Sequence, residues 1–267
     1  VRAIRWAATA VVATALVAWL LLPWPLPLLW RDPEVTSFIQ YRERQAVEEG
    51  RTLEIRHDWV PLEEIPAVVV RAVIEAEDGR FREHGGVDWV ALGEELRYEG
   101  EPPFSWFDPG DLKALWGSAR YGWTHRHEVR GRSTITQQLA KNLYFTPDRS
   151  LGRKVAETFV AWRLEWFLSK DRIMELYLNS VELGSGIFGV EVAAQEYFGI
   201  SARSLGALEA ASLAATLPHP LTSNPAHRPA RMAWRRDLIL RRLTGSPGDA
   251  PPIPPAPPDL DPPPVGL

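Results

Sequence analysis

Two stretches of this chain carry side chains able to do chemistry. In the first, Ile65, Val68, Val69, Ala72, Val73 and Ala76 recur at helical spacing from Pro61 onward. That apolar face delivers Glu75, Glu77 and Asp78 to its end, ahead of Arg80-Phe81-Arg82-Glu83-His84-Gly85-Gly86. Carboxylates in such a place are costly if buried and ordinary if solvated. The second stretch begins Arg130-Gly131-Arg132-Ser133-Thr134-Ile135-Thr136-Gln137-Gln138-Leu139-Ala140-Lys141-Asn142 and closes with Arg153-Lys154-Val155-Ala156-Glu157. Thr134 and Gln137 have capping-box spacing, so a helix is predicted to start there. Ile135, Leu139 and Leu143 share one face of it, and Ser133, Gln137 and Lys141 share another. A polar stripe tipped by a cation is a wall suited to a polar ligand, although an ordinary amphipathic helix has the same pattern. Arg153 and Glu157 are four apart, which by itself predicts only a surface helix pair worth ~0.3 kcal/mol.

The elements that must position these residues are helical. Periodic apolar faces predict helices over 155–167 (with Phe159, Trp162 and Trp166 on the apolar side), 170–179, 190–197, 204–217 and 229–243. Pro218 and Pro220 end the fourth of these. Gly184, Gly186 and Gly189 interrupt the pattern and suit tight backbone turns. Residues 97–130 lack regular pattern: prolines and glycines break up Phe104, Trp106, Phe107, Trp116, Tyr121 and Trp123, which predicts a long functional or mobile loop. No alternating strand run matches the helical signals in strength, so the fold class is mainly α.

The chain has 267 residues, 45% of them hydrophobic, which suffices for one sizeable domain or two small ones. A net charge of -4 argues against a nucleic-acid partner. The absence of cysteine excludes disulfides, thiolate metal sites and a cysteine nucleophile. Arg2 and Arg5 precede an uncharged apolar run, residues 6–22, near the lower length limit for spanning a bilayer. That run, extended by a proline-broken apolar stretch to Trp30, predicts an uncleaved anchor with its amino terminus in the cytoplasm and the remainder exported. Residues 1–30 are thus the anchor and interface segment and 31–60 a juxtamembrane connection. The main domain covers 61–246. Residues 247–267 form a tail with ten prolines, too proline-rich for a helix or central strand and expected to be extended or disordered.

Five blocks, in order, resemble the signatures of the family 51 peptidoglycan glycosyltransferases. The first is Glu77 to Gly86, the second Gly131 to Asn142 and the third Arg153 to Glu157. The fourth runs from Lys170 to Asn179 with its following glycines. The fifth starts at Tyr197-Phe198-Gly199 and passes Glu209-Ala210-Ala211 to Leu217-Pro218. Together they cover about residues 61–244, and five ordered blocks are far more specific than any one. The monofunctional branch of the family is the nearest likeness, because only the proline-rich tail follows residue 246 and no Ser-x-x-Lys occurs, so no transpeptidase function is expected. Arg132 departs from the small residue that family members carry before the Ser-Thr pair, and the stretch from His84 to Gly131 is long for the family.

The resemblance implies polymerisation of lipid II into β-1,4-linked glycan strands at the outer face of the cytoplasmic (inner) membrane. It implies a lysozyme-like, two-lobed domain with a membrane-facing jaw. The acceptor hydroxyl must lose a proton as it attacks, and Glu77, in the first-signature position, is assigned as its general base. The leaving group is a lipid pyrophosphate, which Lys141, Arg149 and Arg153 are placed by resemblance to hold. Glu157 matches the family's second glutamate and is assigned to orienting the basic cluster or a divalent cation, Mg or Mn, near the pyrophosphate. Ser133, Thr134, Gln137, Asn142 and Lys154 are expected to contact substrate. Asp78 and His84 are expected to hold the first-signature loop in shape. Expected partners are lipid II, lipid-linked glycan, the membrane, and other cell-wall synthesis or division proteins. Two other classes stay open: a peptidoglycan hydrolase on a similar fold, and an inactive membrane scaffold.

Overall fold

The computed structural model describes residues 19–100, 108–125, 133–147 and 150–245, with Arg5, Trp6, Thr9, Ala13 and Val17 before them. Each described position between 5 and 21 is helical. Among the described residues, no helix is long and apolar enough to cross a membrane. Most of the apolar run 6–22, the proline-rich tail and the positions Gly131, Arg132 and Arg149 lie outside the described residues.

The architecture is mainly helical. Helix α1 spans Ser37–Glu48, α2 Ala67–Glu77, α3 Trp89–Glu95 and α4 Pro109–Thr124. Helix α5 spans Ile135–Tyr144, α6 Leu151–Phe167, α7 Lys170–Ser180, α8 Val190–Phe198, α9 Ala207–Thr216 and α10 Pro229–Thr244. The strands β1 (Arg56–His57), β2 (Glu182–Gly184) and β3 (Ile187–Phe188) form a small sheet in the order β1-β3-β2, with β1 parallel and β2 antiparallel to β3. Its tight connection explains two of the glycines. Gly186 has φ +73° and its hydrogen faces the Glu54 carbonyl; Gly189 has φ +81°, and a Cβ there would sit 2.8 Å from the Asn179 carbonyl oxygen.

The core forms where apolar faces meet. Ile135, Leu139, Ala140 and Leu143 of α5 pack with Val160, Ala161 and Leu164 of α6 and with Ile173, Leu176 and Tyr177 of α7. The alanine-rich α9 allows close approach to both α2 and α10. Thus α5, the bearer of the polar stripe, is held on three sides, by α1, α6 and α7.

Three expectations need correction. The segment 97–130 is not patternless: α4 occupies Pro109–Thr124 within it, with Asp108 as N-cap accepting from Gly110 and Asp111 and a proline in the first turn, while residues 101–107 and 126–130 lie outside the described residues. Its apolar side chains face outward (Leu112, Leu115, Trp116 and Trp123 are all exposed), so no buried periodicity marks it. On α6, the aromatic side is not the core side. Phe159 and Trp166 are exposed, whereas Val160, Ala161 and Leu164 are buried. The aromatics instead meet the amino-terminal segment and α3, with Trp19 5.7 Å from Phe159 and Trp89 6.5 Å from Trp162, ring centre to ring centre. Residues 31–60 are more than a connection, since they contain α1 and β1. Arg42 of α1 forks onto the buried Glu182 of β2 at 2.8 and 2.7 Å.

Candidate active site

Helix α2 ends at Glu77, and the chain then turns through Asp78, whose N–H still reaches the Ile74 carbonyl. Asp78 is buried and organises the turn. Its carboxylate takes the His84 Nε2 at 2.9 and 3.1 Å and the backbone N–H of Ile135 at 3.0 Å. Lys170 closes the loop from the other side, donating to the His84 carbonyl at 2.6 Å and to Glu165 at 2.7 Å while lying over the Phe81 ring. Asp78 and His84 therefore shape the loop that follows Glu77, and the start of α5 is fastened to it.

The predicted capping box is formed in both directions: Gln137 N–H reaches the Thr134 hydroxyl and the Gln137 side chain accepts from the Thr134 N–H, each at 3.2 Å. The Thr134 hydroxyl donates to the Gly86 carbonyl at 2.6 Å, and the Gln137 amide donates to Thr158. Both side chains are buried, as is Asn142, so their polar atoms serve the fold first. Ser133 is more accessible. Its hydroxyl accepts from the Lys154 ammonium at 2.6 Å. A cavity of about 250 Å³ lies between α3, α5 and α6, bounded by Trp89, Glu95, Ser133, Gln137, Lys154 and Thr158 among others.

Glu157 is not half of a surface pair. Its side chain is 2% exposed and is enclosed by the Arg153 guanidinium and by Lys154 at 3.5 Å. Lys141, one turn beyond Gln137 on α5, belongs to the same group. Burial pulls its ammonium below the ordinary lysine range; Glu157 opposes that, while Arg153 and Lys154 add to it. Phe38 of α1 covers it, with the ammonium 5.5 Å from the ring centre. One buried carboxylate thus gathers three cations, Lys141, Arg153 and Lys154. The net positive charge suits an anion of several oxygens.

Glu77 is tied to α5 through Gln138, three residues before Lys141. Its side chain is 14% exposed, and Oε2 accepts from the Gln138 amide at 2.9 Å. Arg235 of α10 approaches Oε1 at 3.9 Å. Neither Gln138 nor Arg235 is evident in the sequence reading. Gln138 stands beside the Ser133–Gln137–Lys141 stripe, and Arg235 is 158 residues from Glu77 in an ordinary-looking basic helix. The signal for Gln138 is its place, as the second of two glutamines, inside the block from Gly131 to Asn142.

A metal ion would need carboxylates to spare. Among the described residues, the one grouping with suitable atoms is Asp78, His84 and Asp88. Asp88 is engaged by a two-bond fork from Arg80 and by the Ala91 N–H, and Asp78 by His84 and Ile135. At Glu157 the surrounding charges are cationic. Neither place fits a divalent cation as well as it fits its present partners.

The transglycosylase family model matches residues 44–99 and 108–244. The match covers most of the length of each of three named relatives. A biosynthetic peptidoglycan transglycosylase of Janthinobacterium sp. (strain Marseille) is 40% identical over 239 residues, covering 88% of this chain and 94% of the relative. A protein of the same description from Azoarcus sp. (strain BH72) is 39% identical, covering 90% and 95%. One from Herminiimonas arsenicoxydans is 40% identical over 79% of this chain and 82% of its own. With the match extending from α1 to the last turn of α10, this chain belongs to the transglycosylase family.

Proposed function

We propose that this protein is a peptidoglycan glycosyltransferase that extends glycan strands from lipid II. The observation that carries the reading is that α5 brings a nearly buried carboxylate and a cluster of cations onto neighbouring positions: Glu77 held by Gln138, and Lys141, three residues further on, grouped with Arg153, Lys154 and Glu157. The acceptor sugar hydroxyl gives its proton to Glu77 as its oxygen bonds to the donor's anomeric carbon. The bond from that carbon to the pyrophosphate oxygen breaks, and the electron pair leaves with the lipid pyrophosphate. The departing group is already a stable anion, so cations serve it better than a strong general acid. Glu157 fixes the cations; Arg149 joins them in this reading on family resemblance. No step is routed through a divalent ion, because the carboxylates beside the cluster are already matched by Lys and Arg.

The domain is read as two-lobed and lysozyme-like, anchored by the amino-terminal apolar segment, with its catalytic part on the periplasmic side. Support comes from the exposed rings Trp89, Trp116, Trp123 and Trp166, which suit a water–lipid boundary. Contacts of the anchor with other cell-wall synthesis or division proteins belong to the same reading; loss of a co-purified partner on deleting residues 1–30 tests them. The hydrolase reading has no use for a three-cation cluster. The deciding experiment supplies the purified chain with lipid II in detergent and separates the products by size. Glycan polymer supports the proposal. Cleavage of finished glycan with no polymer favours the hydrolase, and neither product from a folded protein favours the scaffold.

A further inference from the structure

Tyr177, on α7, is fully buried, and its hydroxyl donates to Gln138 Oε1 at 2.9 Å. Burial, reinforced by the nearby Glu77 and Asp78 charges, holds the phenol well above its usual range, so it stays a donor at any working pH. The other end of the same amide donates to Glu77 Oε2 at 2.9 Å and to the Ser133 carbonyl at 3.2 Å. The amide has no second way to sit. Reversed, its oxygen would face a carboxylate and a backbone carbonyl, neither of which can donate. Tyr177 and Glu77 thus agree on one orientation of Gln138, and both amide protons are spent inside the protein.

We infer that Tyr177 is a positioning residue for the reaction, acting through the Gln138 amide to hold the Glu77 carboxylate in its working rotamer. The inference rests on Glu77 as general base. Glu77 ends its helix, and the Gln138 amide that meets its Oε2 is braced by a hydroxyl rooted in the core of α7. Without that hydroxyl, the amide is held at its donor end alone, and its oxygen loses the contact that fixes the plane of the group. The carboxylate then samples geometries that cannot reach the acceptor proton.

The test measures kcat and KM for lipid II in Tyr177→Phe, a change that keeps the ring and removes one oxygen. The expected result is a fall in kcat of about tenfold with KM unchanged, since ground-state binding is untouched. In a Gln138→Leu background, the same change is expected to have no further effect on kcat, because its route of action is gone. A merely structural hydroxyl would lower the melting temperature and leave kcat per folded molecule at the parental value, which overturns the inference. Multiplicative effects of the two substitutions overturn it as well. Glu77→Gln in the same assay separates the levels: if it retains parental kcat, the base assignment falls and this inference with it. If it is inactive while Tyr177→Phe is unimpaired, only the positioning role is lost.

Discussion

The carboxylate of Asp78 accepts the backbone N–H of Ile135 at 3.0 Å, joining the turn after the candidate base to the first residue of the helix that bears the polar wall. The first N–H groups of a helix have no partner within it, and Thr134 satisfies only the one at Gln137. Asp78 therefore acts as a second cap, supplied from 57 residues away, and its charge complements the positive end of α5. It also fixes His84.

Replacing Asp78 by Ala leaves the Ile135 N–H buried without a partner and releases His84. Unfolding in urea is expected to show a loss of about 2–4 kcal/mol. Asp78→Asn keeps an acceptor oxygen for Ile135 and should lose less than half of that. Equal losses from the two variants would contradict the capping role.

Arg163 gives a second prediction about architecture. It is buried on α6 and donates to the carbonyls of Leu22 at 2.6 Å, Pro23 at 3.1 Å and Trp19, with its guanidinium between Trp19 and Trp24 at 4.0 and 4.1 Å from the ring centres. A cation closing the carbonyl end of the amino-terminal helical segment complements the negative end of its dipole. Arg163→Met should lower stability by about 2–4 kcal/mol in detergent solution and raise proteolysis near residue 24. Unchanged melting and cleavage would show that the contact carries no weight.

Lys141 predicts a pH dependence. Its lowered value means that its charge is lost at a lower pH than for an ordinary lysine. If that charge holds the pyrophosphate, kcat/KM falls on the alkaline side as pH rises through the folded-state value. Arginine stays charged throughout. Lys141→Arg should therefore move the alkaline limb to higher pH, whatever its maximal rate. An unmoved limb would assign that ionisation elsewhere.

His219 faces Arg231 and Arg235, and burial together with these two cations pushes it down to about 4. The unfolded chain, with an ordinary histidine near 6.5, binds more protons than the folded one between those values, so stability declines as pH falls through that window. His219→Gln should flatten the fall in melting temperature between pH 6.5 and 4.5. A parental slope in the variant would place the acid sensitivity in other groups.

What the sequence discloses follows the range of the interaction. The start of α5 is legible because the capping box is closed within four residues, and the ends of α7, α8 and α10 are legible from local apolar period and turn residues. Helix α4 is missed because its N-cap, Asp108-Pro109, stands ahead of apolar residues that face outward. The aromatic face of α6 is misassigned for the same reason: a stripe turned toward an interface has the period of one turned toward a core. Glu77 and Glu157 stand out through family likeness. Gln138 and Tyr177 lie inside resembled blocks but their link to Glu77 is not legible there, and Arg235, like Phe38 over Lys141, arrives from a distant element with no unusual local setting.

The central claim is that Glu77 takes the acceptor proton in a polymerising reaction. It is tested most directly by the rate of lipid II polymerisation in Glu77→Gln, which keeps size and hydrogen bonding but not basicity. A kcat at least about 100-fold below the parent, with melting temperature within a few degrees, is expected. A folded Glu77→Gln protein that polymerises lipid II at the parental rate would contradict it.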